Sequence, residues 1–181
     1  EILLARWVWK NPANDPTIVT GLILASWVQT IWEWRPLVSI TGQTHCGKSY
    51  LYEAIGGSEH RIGLLGNLAA RCSRSTEAAI RLAIANKGRI PILDEFEQSK
   101  DREAILKKIL RPATRGDTVS RGTSGQKKID FRIRHIAWIA AIESGLREQA
   151  DVNRFIQFEL LMPEKDDEGK LELPNGSELY D

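Results

Sequence analysis

Cysteine is nearly absent from the 181-residue chain, with Cys46 and Cys72 its only two. Two thiols make no disulfide framework, and no CxxC pair or Cys/His cluster suggests zinc. Histidine is as scarce, with three scattered residues that support no metal site. Excess charge is missing too, since 25 basic against 24 acidic side chains leave +1. That excludes a highly charged nucleic-acid coat, although an even total can hide a local patch. No unbroken long apolar run occurs. The longest, Thr17 to Trp32, is interrupted by Thr20, Gly21, Ser26 and Gln29 and is too short and polar for a membrane span. No basic-then-apolar leader opens the chain. It starts at Glu1 inside a helix-like pattern and reads as an excised fragment from a reducing, cytoplasmic setting.

What remains is globular, at 42% apolar and 27% charged. A chain of this size buries roughly 70% of its unfolded surface and needs no staples. Three parts are expected. Residues 1–35 form an N-terminal helical segment, apolar over 2–9, with a loop at 11–16 and then a helix. That helix carries Asp15 as N-cap and Pro16 at the first position. Five of the six tryptophans lie before residue 35, a helical layer packed on a core or a surface for a neighbouring subunit. Residues 36–163 alternate strand and helix: strands at 36–41, 89–94, 136–142 and 155–161, helices from Lys48 to Gly56, from Ser75 or Thr76 to Asn86, and from Lys100 to Leu110. Pro91 is a mild objection to the second strand. Residues 117–134 alternate around a Gly-Thr-Ser-Gly tip and read as a β-hairpin. Residues 164–181 carry net charge −5 and read as a loose acidic tail. The fold class is α/β, a layered and mostly parallel sheet.

Gly42-Gln43-Thr44-His45-Cys46-Gly47-Lys48-Ser49 matches the phosphate-loop pattern at every fixed position, between a predicted strand and a predicted helix. Gly42 and Gly47 let main-chain N–H groups wrap an anion, and the next helix points its positive end there. Lys48 supplies a charge for the β- and γ-phosphates, and Ser49, followed by Tyr50, a hydroxyl for Mg²⁺. Cys46 is either a filler or a thiol made acidic by the helix end and Lys48. Ile90-Pro91-Ile92-Leu93-Asp94-Glu95 is an apolar strand ending in two carboxylates. Asp94 suits the Mg²⁺ shell, and Glu95 suits a general base for the attacking water. No Asn-Lys-x-Asp run marks guanine, so the pair points to ATP hydrolysis.

Residues 100–134 hold eleven basic and four acidic side chains. The hairpin tip carries Arg121, Lys127 and Lys128, which suit sequence-independent phosphate contacts or a plain solvated face.

A hairpin between the acidic strand and the next strand resembles the ATPase core of AAA+-like hexameric helicases, the superfamily 3 and minichromosome-maintenance types. Ser75–Arg81, Leu93–Glu97, Arg121–Gly125 and Asp151–Phe155 look more closely like the helicase part of phage and prophage primase–helicases. The resemblance covers about residues 36–162. It implies a three-layer P-loop fold with the hairpin before the sensor-1 strand, ATP and Mg²⁺ as cofactors, and single-stranded DNA threaded through a hexameric ring. It implies that Arg154, with Arg147 as rival, reaches a neighbour's γ-phosphate, and that Ser144 stands at the sensor-1 position. The family's helical lid has no counterpart after Leu161. Two other functions stay open: a regulatory ATPase whose hairpin meets protein, and a nucleotide-binding fragment that never turns over.

Overall fold

The computed structural model describes residues 3–72, 75–96, 101–122, 128–142, 146 and 148–164. Five strands form the central sheet: β1 (Leu37–Gly42), β2 (Ala69–Arg71), β3 (Ile90–Leu93), β6 (Trp138–Ala141) and β7 (Phe155–Leu160). Their order is β2-β3-β6-β1-β7, and every pairing is parallel. β4 (Thr118–Gly122) and β5 (Lys128–Arg132) make a separate antiparallel hairpin, at the place in the chain where the alternation predicts one.

Successive strand residues face opposite ways, so both sides of the sheet are apolar and both are covered. Val38, Ile40, Ile92, Trp138 and Ala140 join one core with residues of α1 (Asp15–Trp27) and α2 (Lys48–Gly56). Leu37, Leu93, Ala137 and Ile139 join the other with α3 (Glu77–Ile84) and the helix that follows β3. That helix runs from α4 (Arg102–Ile105) through a π turn (Leu106–Leu110) into α5 (Arg111–Arg115). The wide turn precedes Pro112, whose ring has no N–H to give and crowds the carbonyl four residues back. Pro91 fits β3 because the pairing with β6 starts only at Ile92.

Four expectations need correction. Of the stretch expected to be helical, residues 3–9 are described and do not form an α-helix: only Leu4–Arg6 make a 3-10 turn. Trp7 and Trp9 alternate inward, and Trp9 bridges antiparallel to Leu160, so the segment shields the edge of β7. The Lys10–Glu159 ion pair at 2.6 Å fastens it. Asn14, not Asp15, stands at the N-cap of α1; Asp15 lies inside the first turn and accepts the Asn11 N–H at 3.1 Å. α3 stops at Ile84, two residues early, because Ala85 already leaves the helical region at ψ 138° and Asn86 follows with a positive φ of 59°. Thr76 does cap it, accepting the Ala79 N–H. Lastly, the helix expected to end at Leu110 runs on through α5 to Arg115. In α1, Ser26 turns inward and accepts from Trp138, whereas Leu24 and Trp27 face out.

The start of β6 is sewn down by Gln29, which accepts the Ile136 N–H and donates to Gly88. Beside it His135 is 1% exposed, and neither ring nitrogen makes a hydrogen bond of ordinary geometry. Burial first, then the nearby Arg35 charge, push its pKa down to about 4, offset only in part by the Arg89 main chain. An unfolded histidine titrates near 6.5. Between those values only the unfolded chain takes the proton, so stability falls as pH drops, by up to about 3 kcal/mol. His135→Gln removes this dependence: its urea midpoint falls less than the wild type's between about pH 7 and about pH 4.5. An equal fall in both proteins refutes the assignment.

Candidate nucleotide cleft

The carboxyl ends of parallel strands gather ligand sites because loops and helix N-termini meet there. β1 ends at Gly42 and α2 starts at Lys48, so the glycine loop spans that edge. A Cβ on Gly42 would lie 2.5 Å from the Leu160 carbonyl and 2.7 Å from the Cys46 sulfur, which no other residue tolerates. Gly47 has φ 87° and His45 φ 69°, the left-handed steps that make a concave nest of N–H groups. The first N–H groups of α2 have no partner within the helix.

Three side chains set the loop. The Trp7 indole donates to the Gly47 carbonyl at 3.0 Å. The Lys48 ammonium donates to the carbonyls of Gly42 at 2.6 Å and Gln43 at 2.8 Å. Cys46 is buried behind them, with its sulfur 3.7 Å from the Lys48 ammonium. Tyr52, one turn into α2, is buried and donates its hydroxyl to the Ile139 carbonyl on β6. Burial and then the Asp94 charge raise its pKa well above the usual value, so the phenol stays protonated and α2 stays tied to the sheet.

Asp94 and Glu95 follow β3, with β6 lying between β3 and β1. Two strand spacings put the carboxylates roughly 10 Å from the loop. Ala140, Ala141 and Ile142 line the cleft from β6 and its end, and the small side chains of the two alanines leave room between the walls. The result is a cleft of about 370 Å³ with Lys48, Ser49 and Tyr50 on one wall and Asp94 and Glu95 on the other. Thr44 and His45 reach its rim, while Gln43 stays on the exposed outer side of the loop. Glu95 has φ 53°, a conformation costing about 1–2 kcal/mol outside glycine. Its N–H is held by the Asp94 carboxylate at 2.9 Å.

Arg154 lies at the other end of the sheet. The Leu37 N–H donates to its carbonyl, and five strand steps separate Leu37 from Gly42, about 17 Å. It is half-buried and donates to the Ala150 carbonyl. Its support is a link the sequence does not reveal. Arg111 makes a two-pronged contact to Asp151, both bonds 2.7 Å, and another to Glu148. Asp151 is 2% exposed and sits in α6 (Gln149–Val152), directly before Arg154. Forty positions separate Arg111 from Asp151, so no local pattern signals the pair.

The basic run is less free than its count suggests. Lys107 pairs with Glu103 and Lys128 with Asp130, and Arg111 is committed as above. Asp130 is further held by the Ser120 hydroxyl, and both partners keep its carboxyl below the ordinary range. Arg121 stands opposite Ile129 near the end of β4. Lys127, Ser144, Arg147 and most of the acidic tail lie outside the described residues. Among the described residues no helix is long and apolar enough to cross a membrane. In comparisons with known proteins, the chain matches no family model and no curated protein.

Proposed function

We propose that the chain is the ATP-binding and ATP-hydrolysing core of a P-loop motor, of helicase type, that works on DNA as a ring. One arrangement supports this above all: the glycine loop with Lys48 and Ser49 faces Asp94 and Glu95 across a single cleft. The nest and the start of α2 receive the phosphates. Lys48 turns from the Gly42 and Gln43 carbonyls to the β- and γ-phosphate oxygens. Glu95 orients the attacking water and takes its proton. A guanidinium from a neighbour's Arg154 stabilises charge building on the transferred group.

Among the described residues no three His, Cys, Asp or Glu side chains gather into a metal cluster. Mg²⁺ asks for less, since it keeps several waters and takes one or two protein oxygens beside the phosphates. The Ser49 hydroxyl and the Asp94 carboxylate fit that role. The ion, when bound, neutralises charge between the β- and γ-phosphates.

A second reading, a regulatory ATPase whose hairpin meets protein, draws on the Lys128–Asp130 pair, which mutes the tip's charge. Both readings share the cleft, and one substitution tests it. Lys48→Ala lowers ATP hydrolysis about 100-fold or more, the scale of losing one aimed charge, and weakens nucleotide binding in a fluorescence titration. Hydrolysis at the wild-type rate overturns the proposal.

A further inference from the structure

The sheet end remote from the cleft collects positive charge. There Thr30, the turn Asn86–Gly88, Arg132 and Arg134 enclose a groove of about 510 Å³. Three of these six residues are cations, and none is an acid or an aromatic. Arg132 and Arg134 make no ion pair among the described residues. Asp130, the nearest acid along β5, is engaged by Ser120 and Lys128. Next to Thr30, Arg35 is 3% exposed, donates through Nε to the Gln29 carbonyl, and has its Nη1 without a partner. Burial and then the charge of Arg134 lower its pKa. Like charges drawn around one concavity repel, and an anion in it relieves that repulsion.

The groove is built firmly. The Asn86 N–H donates to Arg132, its side-chain oxygen accepts the Arg132 N–H, and its amide donates to Asp130. Those three bonds moor β5 to the end of α3. Gly116, at φ 76°, makes room for Arg134, since a Cβ there would lie 2.8 Å from the arginine Cγ. With no aromatic side chain in its lining, the groove lacks the usual platform for base stacking, and its cations suit phosphate oxygen. The groove flanks the end of β5, the strand paired with β4.

We propose that this groove binds the phosphodiester backbone of a single-stranded nucleic acid through Lys87, Arg132 and Arg134. The identity of the polyanion rests on the motor reading above; the groove itself does not. Phosphate could also arrive on a nucleotide held by a neighbouring copy, and the test separates the two sources.

The chain is titrated against a labelled oligothymidylate, longer than the ~16 nucleotides one small domain covers, over a salt series. A fluorescent ATP analogue is titrated in parallel. R132Q/R134Q binds the oligonucleotide severalfold more weakly and lowers the log–log salt slope by about 1.4, two phosphate contacts at ~0.7 each. R132K/R134K recovers most of that slope, and both variants bind the ATP analogue as the wild type does. An unchanged slope in the Gln pair overturns the proposal, as does an equal loss in the Lys pair, which would mark a packing role. Loss of ATP-analogue binding alone in the Gln pair assigns the groove to a neighbour's nucleotide and also overturns it. If the Gln pair does not fold, K87A carries the test, with a slope change of about 0.7. A wild-type chain that binds the oligonucleotide but no ATP analogue sinks the motor reading and leaves the groove standing.

Discussion

Replacing Glu95 by Gln removes ATP turnover and leaves nucleotide binding in place. The amide keeps the volume and most of the polarity of the carboxylate but cannot take a proton at pH 7. General-base catalysis contributes about 10²–10⁴ in rate, and that whole factor is at stake. Glu95 is only part-buried, and the bond that holds its main chain runs to the Asp94 side chain, which the substitution leaves alone. Single-turnover hydrolysis beside equilibrium binding of an ATP analogue reads the two effects separately. Turnover within twofold of wild type removes Glu95 from the chemistry. The left-handed backbone at this residue supplies an internal control. Glu95→Gly relieves a conformation that glycine adopts freely, so it stabilises the chain by about 1 kcal/mol while abolishing activity. Gained stability together with lost turnover in that variant would tie the strained conformation to a catalytic task.

The parts of the fold legible in the sequence are those where local chemistry and tertiary packing agree. Gly42 and Gly47 are required by close approach and a positive φ, so the loop shows in its spacing. β1, β3 and β6 are buried on both faces and read as continuous apolar runs. The hairpin shows through its alternation and small-residue tip. Elsewhere packing overrides pattern. β2 is Ala-Ala-Arg, with no strand preference, and exists because it pairs with β3. Residues 2–9 look helical in sequence, yet after the 3-10 turn at Leu4–Arg6 the chain extends to bridge Trp9 to Leu160 at the open edge of β7. In α1 and the 3-10 turn after it, two of the four residues that interrupt the apolar run point inward. Ser26 and Gln29 are buried tethers to β6, and Trp27 and Ile31 lie outside. The same limit governs the candidate site. The loop and the acidic pair are contiguous motifs, whereas Tyr52, Trp7 and the Arg111–Asp151 brace act through contacts between distant positions.

Arg154 sharpens the motor reading because its position forbids action on its own cleft. It sits beside Leu37 while the loop begins at Gly42, and about 17 Å exceeds what one side chain spans. A guanidinium that serves the γ-phosphate from there must serve a neighbour's. The brace gives it a fixed base, because Arg111 locks Asp151 on two bonds and the Asp151 carbonyl accepts the Arg154 N–H at 2.9 Å. One donor is engaged by Ala150, and the fork has others to offer. ATPase activity per chain therefore rises with protein concentration. Arg154→Ala loses roughly 10³–10⁵ of the assembled rate while binding nucleotide normally. The decisive assay mixes two inactive chains. Lys48→Ala has a disabled cleft but an intact Arg154, and Arg154→Ala has the reverse. In a ring, the first lends its arginine to the second, and activity returns at a fraction of the sites. Mixtures as inactive as their components, together with a wild-type rate independent of concentration, remove Arg154 from catalysis and leave it as the start of β7.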